Sequence, residues 1–79
     1  MKKQTKEILD TLLKGYHIVL VYIPGEDIDD DWFVYIEEFD GCMSQGNSPE
    51  DAIDMICDAA KGWIEIGKKC GMKIPLPNA

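Results

Sequence analysis

This sequence of 79 residues contains no arginine, a single histidine and no long hydrophobic run. Its longest uninterrupted apolar stretch, Ile18 to Ile23, is far shorter than the roughly 20 residues that cross a bilayer. The N-terminal residues are basic but precede an amphipathic segment, not the continuous apolar core of a signal peptide. Because every basic residue is lysine, the two-pronged grip of arginine on phosphate is also missing. We therefore expect a cytoplasmic protein with no membrane span.

Residues that hold metals or act as nucleophiles are also scarce. Cys42, Cys57 and Cys70 are odd in number and lack a CxxC spacing, which argues against a disulfide framework and against a zinc site. His17 stands in a strand-like segment, and nothing in the sequence points to a second titrating group near it. We therefore expect reduced, structural thiols, ordinary strand packing or a half-exposed edge position for His17, and neither a metal nor a cofactor.

Negative charge is distributed unevenly along the chain, whose formal net charge is −7. Residues 1–15 carry four lysines against two acids, and residues 48–79 carry four lysines against five acids, so both segments are nearly balanced. Residues 16–47 carry no lysine and eight acids, namely Glu26, Asp27, Asp29, Asp30, Asp31, Glu37, Glu38 and Asp40. A surface of one sign attracts a partner of opposite sign and repels nucleic acid. The segment therefore indicates a basic protein partner, unless it is only a solvated loop that keeps a small domain soluble.

A chain of this length forms one domain, residues 1–79, and its first part predicts a helix followed by a strand. Residues 2–14 have helical spacing, with Thr5 as a candidate N-cap and Gly15 as the stop. Residues 16–23 are β-branched and aromatic, and the Pro-Gly pair that follows them cannot continue a paired strand.

The middle of the chain predicts two further strands that complete an antiparallel meander. Residues 32–39 restore the strand pattern after the acidic run. Asp40-Gly41 is a strong hairpin signal because glycine accepts positive φ and aspartate tolerates it. Residues 42–46 are therefore predicted to turn back as a short third strand.

A long helix is predicted to close the domain. Ser48 can accept a hydrogen bond from a free backbone N–H, Pro49 suits the first turn, and two acids follow at the positive end of the helix dipole. Gly71 supplies a left-handed stop, and prolines bar helix in the tail, residues 72–79. The apolar stripe of this helix consists of Ala52, Ile56, Ala59, Ala60, Trp63 and Gly67.

The second predicted strand is apolar on both faces, and a single helix covers only one of them. Its alternating sets are Trp32, Val34 and Ile36, and Phe33, Tyr35 and Phe39. Either the N-terminal helix covers the other face, or an apolar patch of a few hundred Å² stays open and marks an association surface. The alternation leaves both arrangements open.

Two carboxylate patterns resemble metal sites without meeting their requirements. Asp27, Asp29, Asp31 and Glu38 occupy places one, three, five and twelve of a calcium loop, but the sixth place, which requires glycine, is Trp32. Close carboxylate pairs suit Mg²⁺, yet the same segment has no basic residue to hold a phosphate. We therefore expect no metal site and no enzymatic activity.

Short motifs mark the joints between the predicted elements. In order they are Trp32-Phe33-Val34-Tyr35-Ile36 with Phe39, Gly41-Cys42, Ser44-Gln45-Gly46-Asn47-Ser48, Asp51-Ala52, and Gly71 with Ile74-Pro75-Leu76-Pro77. Together they resemble the HicB-like antitoxin family. Its members show a hydrophobic strand, a Gly-Cys turn, a polar-Gln-Gly-Asp-Thr joint between strand and helix, and a Glu-Ala helix opening. The resemblance spans essentially the whole chain.

The sequence departs from that family at two places. Members often have proline at the positions of Glu37 and Asp40, where this chain has charge. Many members also continue into a ribbon-helix-helix or helix-turn-helix segment that binds operator DNA, whereas this sequence ends at Ala79. We therefore expect no direct binding of nucleic acid by this chain.

The resemblance implies a partial RNase H-like β-β-β-α core without enzymatic activity, which neutralises a HicA-type toxin, a small basic ribonuclease. The acidic segment agrees with this, because a carboxylate-bearing surface competes with RNA for a basic face. We therefore predict an α+β fold of the order α-β-β-β-α and an antitoxin-like function. The alternative is a solitary structural or regulatory module that self-associates through sheet edges or an uncovered face.

The predicted docking residues combine charge with aromatic contact area. Carboxylates would steer and orient a basic partner, and aromatic side chains outside the core would supply apolar contact. We also expect a homo-oligomer. The predicted partner-binding residues are Asp27, Asp29, Asp30, Asp31, Trp32, Tyr35, Glu37, Glu38 and Asp40.

Overall fold

The elements follow one another in the predicted order within residues 3–25 and 31–77, which the computed structural model describes. They are α1 (Lys3–Asp10), β1 (Ile18–Ile23), β2 (Asp31–Ile36), β3 (Met43–Gly46) and α2 (Pro49–Lys69). The strands form one antiparallel sheet with β2 in the centre. The predicted α+β fold is thereby confirmed. Among the described residues, no helix combines the length and the apolarity that crossing a membrane requires.

The N-terminal helix is shorter than its sequence pattern predicts. α1 ends at Asp10, and the chain then passes through turns to Gly15, which has the positive φ of 89° expected of a stop. Thr5 is not the N-cap, because the helix already begins at Lys3 and Thr5 is a buried residue inside it. Ile8 in α1 and Leu13 in the following turn are both buried, so this segment packs on α2 through two apolar side chains.

The hairpin between β2 and β3 is wider than a tight two-residue turn. β2 ends at Ile36, and Asp40-Gly41 forms the centre of a turn in which the Cys42 N–H donates to the Phe39 carbonyl at 3.1 Å. Gly41 has a φ of 80°, as the Asp-Gly signal requires. The predicted strand does not reach Phe39. The turn instead swings that ring into the core, where it is 1% exposed.

The long helix begins and ends as its local signals predict. Ser48 is the N-cap, and its hydroxyl accepts a hydrogen bond from the Asp51 N–H at 3.1 Å. The Asp51 carboxylate in turn accepts from the Asn47 N–H at 3.1 Å, which satisfies a second backbone donor. Gly71, just beyond the helix, has a φ of 75°.

The hydrophobic core lies between α2 and the sheet, with α1 added at one end. α2 packs on β3 and β2, whereas α1 packs on α2. The tail is tied back to the domain, because the Tyr16 hydroxyl donates a hydrogen bond to the Pro75 carbonyl. The buried apolar residues are Ile8, Leu13, Val34, Ile36, Phe39, Cys42, Ala52, Ile56, Cys57, Ala60 and Ile64.

Candidate docking surface

The strand register decides which side chains of the sheet face the helix. In an antiparallel sheet, directly paired residues share a face and alternate along each strand. Val34 and Ile36 of β2 are buried under α2, and Trp32 continues the same row half-buried. Phe33 and Tyr35 therefore lie on the opposite face, together with their partners on β1 and β3.

The face of the sheet opposite α2, named here the open face, is largely apolar. Its residues are Val19, Val21, Ile23, Asp31, Phe33, Tyr35, Met43 and Gln45. The exposed fractions of Val21, Ile23 and Met43 are 42%, 45% and 55%. Since α1 packs on α2, it does not cover this face, and no other described element does. Of the two arrangements that the sequence allowed, the described residues therefore show the second, in which this apolar face is not covered by the N-terminal helix.

A cavity of about 260 Å³ lies at the hairpin end of the open face. This is below the range of about 300–1,000 Å³ that small-molecule sites occupy. The cavity is therefore small for a cofactor. Aromatic rings and carboxyl-bearing residues both border it, and its lining is Phe33, Tyr35, Ile36, Glu37, Phe39, Asp40, Gly41, Cys42 and Met43.

Two of the predicted docking acids border this cavity. Glu37 and Asp40 are exposed, and within the described part of the chain the structure gives their carboxylates no ion pair. Asp31 shares the open face at the other end of β2, about 15–20 Å away at the rise of an extended strand. The open face is therefore an apolar strip with negative charge at both ends.

The structure brings four of the predicted docking residues to one side of the sheet and places Trp32 and Glu38 elsewhere. Asp31, Tyr35, Glu37 and Asp40 border the open face or its cavity. Trp32 lies on the helix face, where its ring packs against that of Tyr22 at 5.1 Å. The predicted residues Asp27, Asp29 and Asp30, together with Glu26, lie outside the described residues.

Glu38 does not offer a free carboxylate to a partner. Its side chain is 1% exposed and is held by His17, 21 residues earlier. One carboxylate oxygen accepts from the His17 backbone N–H and the other contacts the His17 Nδ1, both at 2.9 Å. The sequence did not predict that Glu38 lies beside His17, because this contact depends on the pairing of β1 with β2. Glu38 therefore holds the start of β1, and its buried carboxylate does not contribute to the open face.

The His17–Glu38 pair makes part of the stability depend on pH. The hydrogen bond that the His17 ring donates to the Glu38 carboxylate, and then the negative charge of Glu38, raise the pKa of His17 above the ordinary 6.5, with a smaller contribution from Glu37. A raised pKa in the folded state stabilises the protein fully below the unfolded pKa, and this contribution is lost as pH rises through the folded pKa. We therefore expect His17→Gln to destabilise the protein more at about pH 6 than at about pH 9.

An NMR titration of the His17 ring tests the cause directly. Glu38→Gln should bring the pKa of His17 down towards 6.5, and Glu37→Gln should lower it less. Equal pKa values in the wild type and in Glu38→Gln would show that the pair does not form in solution.

The hairpin that carries Glu37 and Asp40 is held in place by a tryptophan of α2. The Trp63 Nε1–H donates to the Asp40 carbonyl at 3.1 Å, and its ring stacks on Phe39 with centroids 4.4 Å apart. The sequence placed Trp63 on the apolar stripe of the helix but gave no signal for this bond, which joins residues 23 positions apart. The exposed acidic turn is thus fixed to the core by a side chain of another element.

The chemistry of catalytic or metal sites finds little support in the described residues. They contain no group of three or more His, Cys, Asp and Glu side chains that could hold a metal ion. Burial, with a smaller effect from Asp54 and Asp58, raises the pKa of the Cys57 thiol to about 11, and burial also raises that of Cys42. Since the thiolate is the reactive form, both buried thiols are poor nucleophiles at neutral pH.

Comparisons of the chain with protein-family models, with curated proteins and with solved structures found no match. The resemblance to the HicB-like family therefore depends on the short motifs described above and stays a prediction. The geometry of the site is that of an exposed, largely apolar sheet face with carboxylates at its ends.

Proposed function

We propose that this protein is a non-catalytic binding module that docks a small basic protein on its open face and masks that partner's surface. The observation that carries the proposal is the uncovered strip of Phe33 and Tyr35 next to the exposed carboxylates of Glu37 and Asp40. Apolar area supplies affinity in such interfaces, while unpaired charges at the rim steer the encounter.

The cavity at the hairpin end suits a lysine or arginine side chain of the partner. Its lining includes the aromatic residues Phe33 and Tyr35, whose rings can attract a cation, and Glu37 and Asp40 supply negative charge. A basic side chain entering there would lay its aliphatic stem against Phe33, Tyr35 or Met43 and keep its charged head near the carboxylates. Basic residues are what a surface that binds RNA phosphates must carry.

The partner that fits this chemistry best is a small basic ribonuclease of the HicA type. The resemblance of the joint motifs to HicB-like antitoxins supports this choice, as does the acidity of residues 16–47. Occlusion of the RNA-binding surface would neutralise such an enzyme without any catalysis by this chain. The proposed activity is therefore that of an antitoxin.

Charge reversal at the cavity tests the docking surface. Glu37→Lys with Asp40→Lys should slow association with a purified HicA-type toxin about tenfold or more and weaken the salt dependence of that rate. The rate is measured by stopped-flow fluorescence with a catalytically inactive toxin variant, and inhibition of RNA cleavage is measured in parallel with the active enzyme.

Asp58→Lys with Glu65→Lys is the matched control, because it changes the net charge by the same amount on exposed positions of α2. It should change the association rate no more than about twofold, since these residues lie away from the open face. Equal effects of the two double variants would show that only net charge matters. Unchanged association in the cavity variant would rule out this surface as the docking site.

A further inference from the structure

β1 is an edge strand whose apolar side chains are exposed on both faces. Within the described residues, only β2 pairs with it. Leu20 and Tyr22 on the helix face and Val21 and Ile23 on the open face are between 36% and 48% exposed. Proteins normally protect such an edge with charged residues, proline or a bulge, because it invites pairing with another strand. The segment Ile18–Ile23 contains no charge and no proline.

The hydrogen bonds to β2 define which backbone groups of β1 point outward. The Glu37 N–H donates to the His17 carbonyl at 2.9 Å, so the backbone groups of His17 face β2. Because this direction alternates along an antiparallel strand, Val19 also bonds towards β2, and Ile18 and Leu20 direct their N–H and C=O groups away from it. These outward groups are the ones that an added strand would bond.

We propose that β1 pairs in antiparallel fashion with β1 of a second copy of this chain, around a twofold axis beside Leu20. Leu20 is the outward-facing residue nearest the middle of the strand. In this arrangement the Leu20 N–H donates to the carbonyl of the partner's Leu20, and the Leu20 carbonyl accepts from the N–H of the partner's Leu20. The two three-stranded sheets thereby join into one sheet of six strands. Each β1 strand then pairs with the β1 strand of the other copy, so the contact closes as a dimer and does not propagate.

Charge favours a second copy as the occupant of this edge. Two chains of net charge −7 repel wherever their carboxylates meet, and residues 16–25 carry no lysine, aspartate or glutamate. An identical uncharged strand therefore faces β1 without a like-charge contact, whereas a basic partner gains no attraction there. The strand is also matched in length by its own copy, about 20 Å of six residues.

The dimer would leave the open face available. Antiparallel pairing about an axis perpendicular to the sheet places both α2 helices on one side and both open faces on the other. The inference does not depend on the proposed toxin partner, because the edge and the cavity are different surfaces. The effect of salt distinguishes the two kinds of association. Higher salt should strengthen the pairing of two acidic chains and weaken the docking of a basic protein.

Sedimentation equilibrium of the full chain, from about 1 μM to about 1 mM, measures the pairing. We expect the mass to rise from 8.9 kDa towards twice that value, and the dissociation constant to fall as salt is raised. Leu20→Lys should raise the dissociation constant at least tenfold, because the axis would place two lysines side by side. Ile66→Lys, a lysine at an exposed position of α2, should leave it unchanged. A wild type that stays monomeric, or equal effects of both variants, would overturn the proposal.

A cysteine cross-link tests the axis even where Leu20→Lys fails to fold. In a Cys70→Ser background, which removes the exposed thiol, Leu20→Cys should form a disulfide-linked dimer under mild oxidation. Paired residues in this register have Cα atoms about 5.5 Å apart, within the range that a disulfide spans. Ile66→Cys in the same background should cross-link at least tenfold more slowly. Equal rates at the two positions would contradict β1 pairing.

Discussion

Gly46→Ala is expected to destabilise the domain by about 3 kcal/mol or more, which is a large part of the roughly 4–12 kcal/mol available to a chain of this size. A Cβ at this position would lie 2.5 Å from the Ala52 backbone nitrogen and 2.9 Å from both the Ala52 Cα and the Asp51 carbonyl carbon. All three atoms belong to the backbone of the first turn of α2, which cannot move aside as a flexible side chain can. Gly46 does not have a positive φ, so the effect is purely steric.

The measurement is urea denaturation followed by circular dichroism, with Gly62→Ala as the control. Gly62 lies inside α2, and a Cβ there meets no atom within 4 Å. Alanine favours a helix over glycine by up to about 1 kcal/mol, so this variant should be as stable as the wild type or more so. Similar losses in the two variants would mean that β3 and α2 do not approach as closely as described.

Phe39→Ala is expected to destabilise the domain by about 3–5 kcal/mol. Phe39 is 1% exposed, and its ring stacks on Trp63 at 4.4 Å and packs tilted against Tyr16 at 4.7 Å. Truncation would leave a cavity beside Trp63 and Tyr16 and change the lining of the proposed docking cavity, to which Phe39 belongs. Binding of a basic partner should therefore weaken along with stability.

Phe33→Ala is the matched control for this ring. Phe33 lies half-buried on the open face, where its ring packs against that of Tyr35 at 5.8 Å. We expect this variant to lose at most about 1.5 kcal/mol of stability but to bind a partner more weakly, because it removes contact area from the open face. Chemical denaturation and partner titration of both variants separate the two roles. An equal loss of stability would contradict the assignment of the core to the face of Val34 and Ile36.

Local sequence signals predicted the elements better than their ends. The N-cap at Ser48 and the stop at Gly71 follow from residues within one turn, so they could be predicted directly from the sequence. The ends of α1 and β2 were predicted too late, at Lys14 and Phe39 instead of Asp10 and Ile36. In both cases the turn that follows continues the apolar pattern, because one of its residues, Leu13 or Phe39, is also buried in the core.

The docking surface was predicted only in part, because charge in the sequence does not show which carboxylates are free. Glu37 and Asp40 remain exposed at the cavity, but Glu38, which lies between them in sequence, turns inward to His17. That difference arises from strand pairing between residues 21 positions apart. Strand pairing also places Phe33 and Met43 on the open face. Their position beside Tyr35 follows from the register of the strands, which the sequence alone does not give.

The amino-acid sequence by itself determined the order of the elements, the limits of α2 and the concentration of acids in residues 16–47, since each depends on neighbouring residues alone. The tertiary structure decided which face of β2 is buried, where α1 packs and which carboxylates remain in water. The physical reason is that both faces of β2 are apolar, so the free energy of apolar burial does not by itself distinguish one face from the other. In the structure α2 covers the face of Val34 and Ile36, and the absence of a side chain at Gly46 lets the backbones of β3 and α2 approach closely.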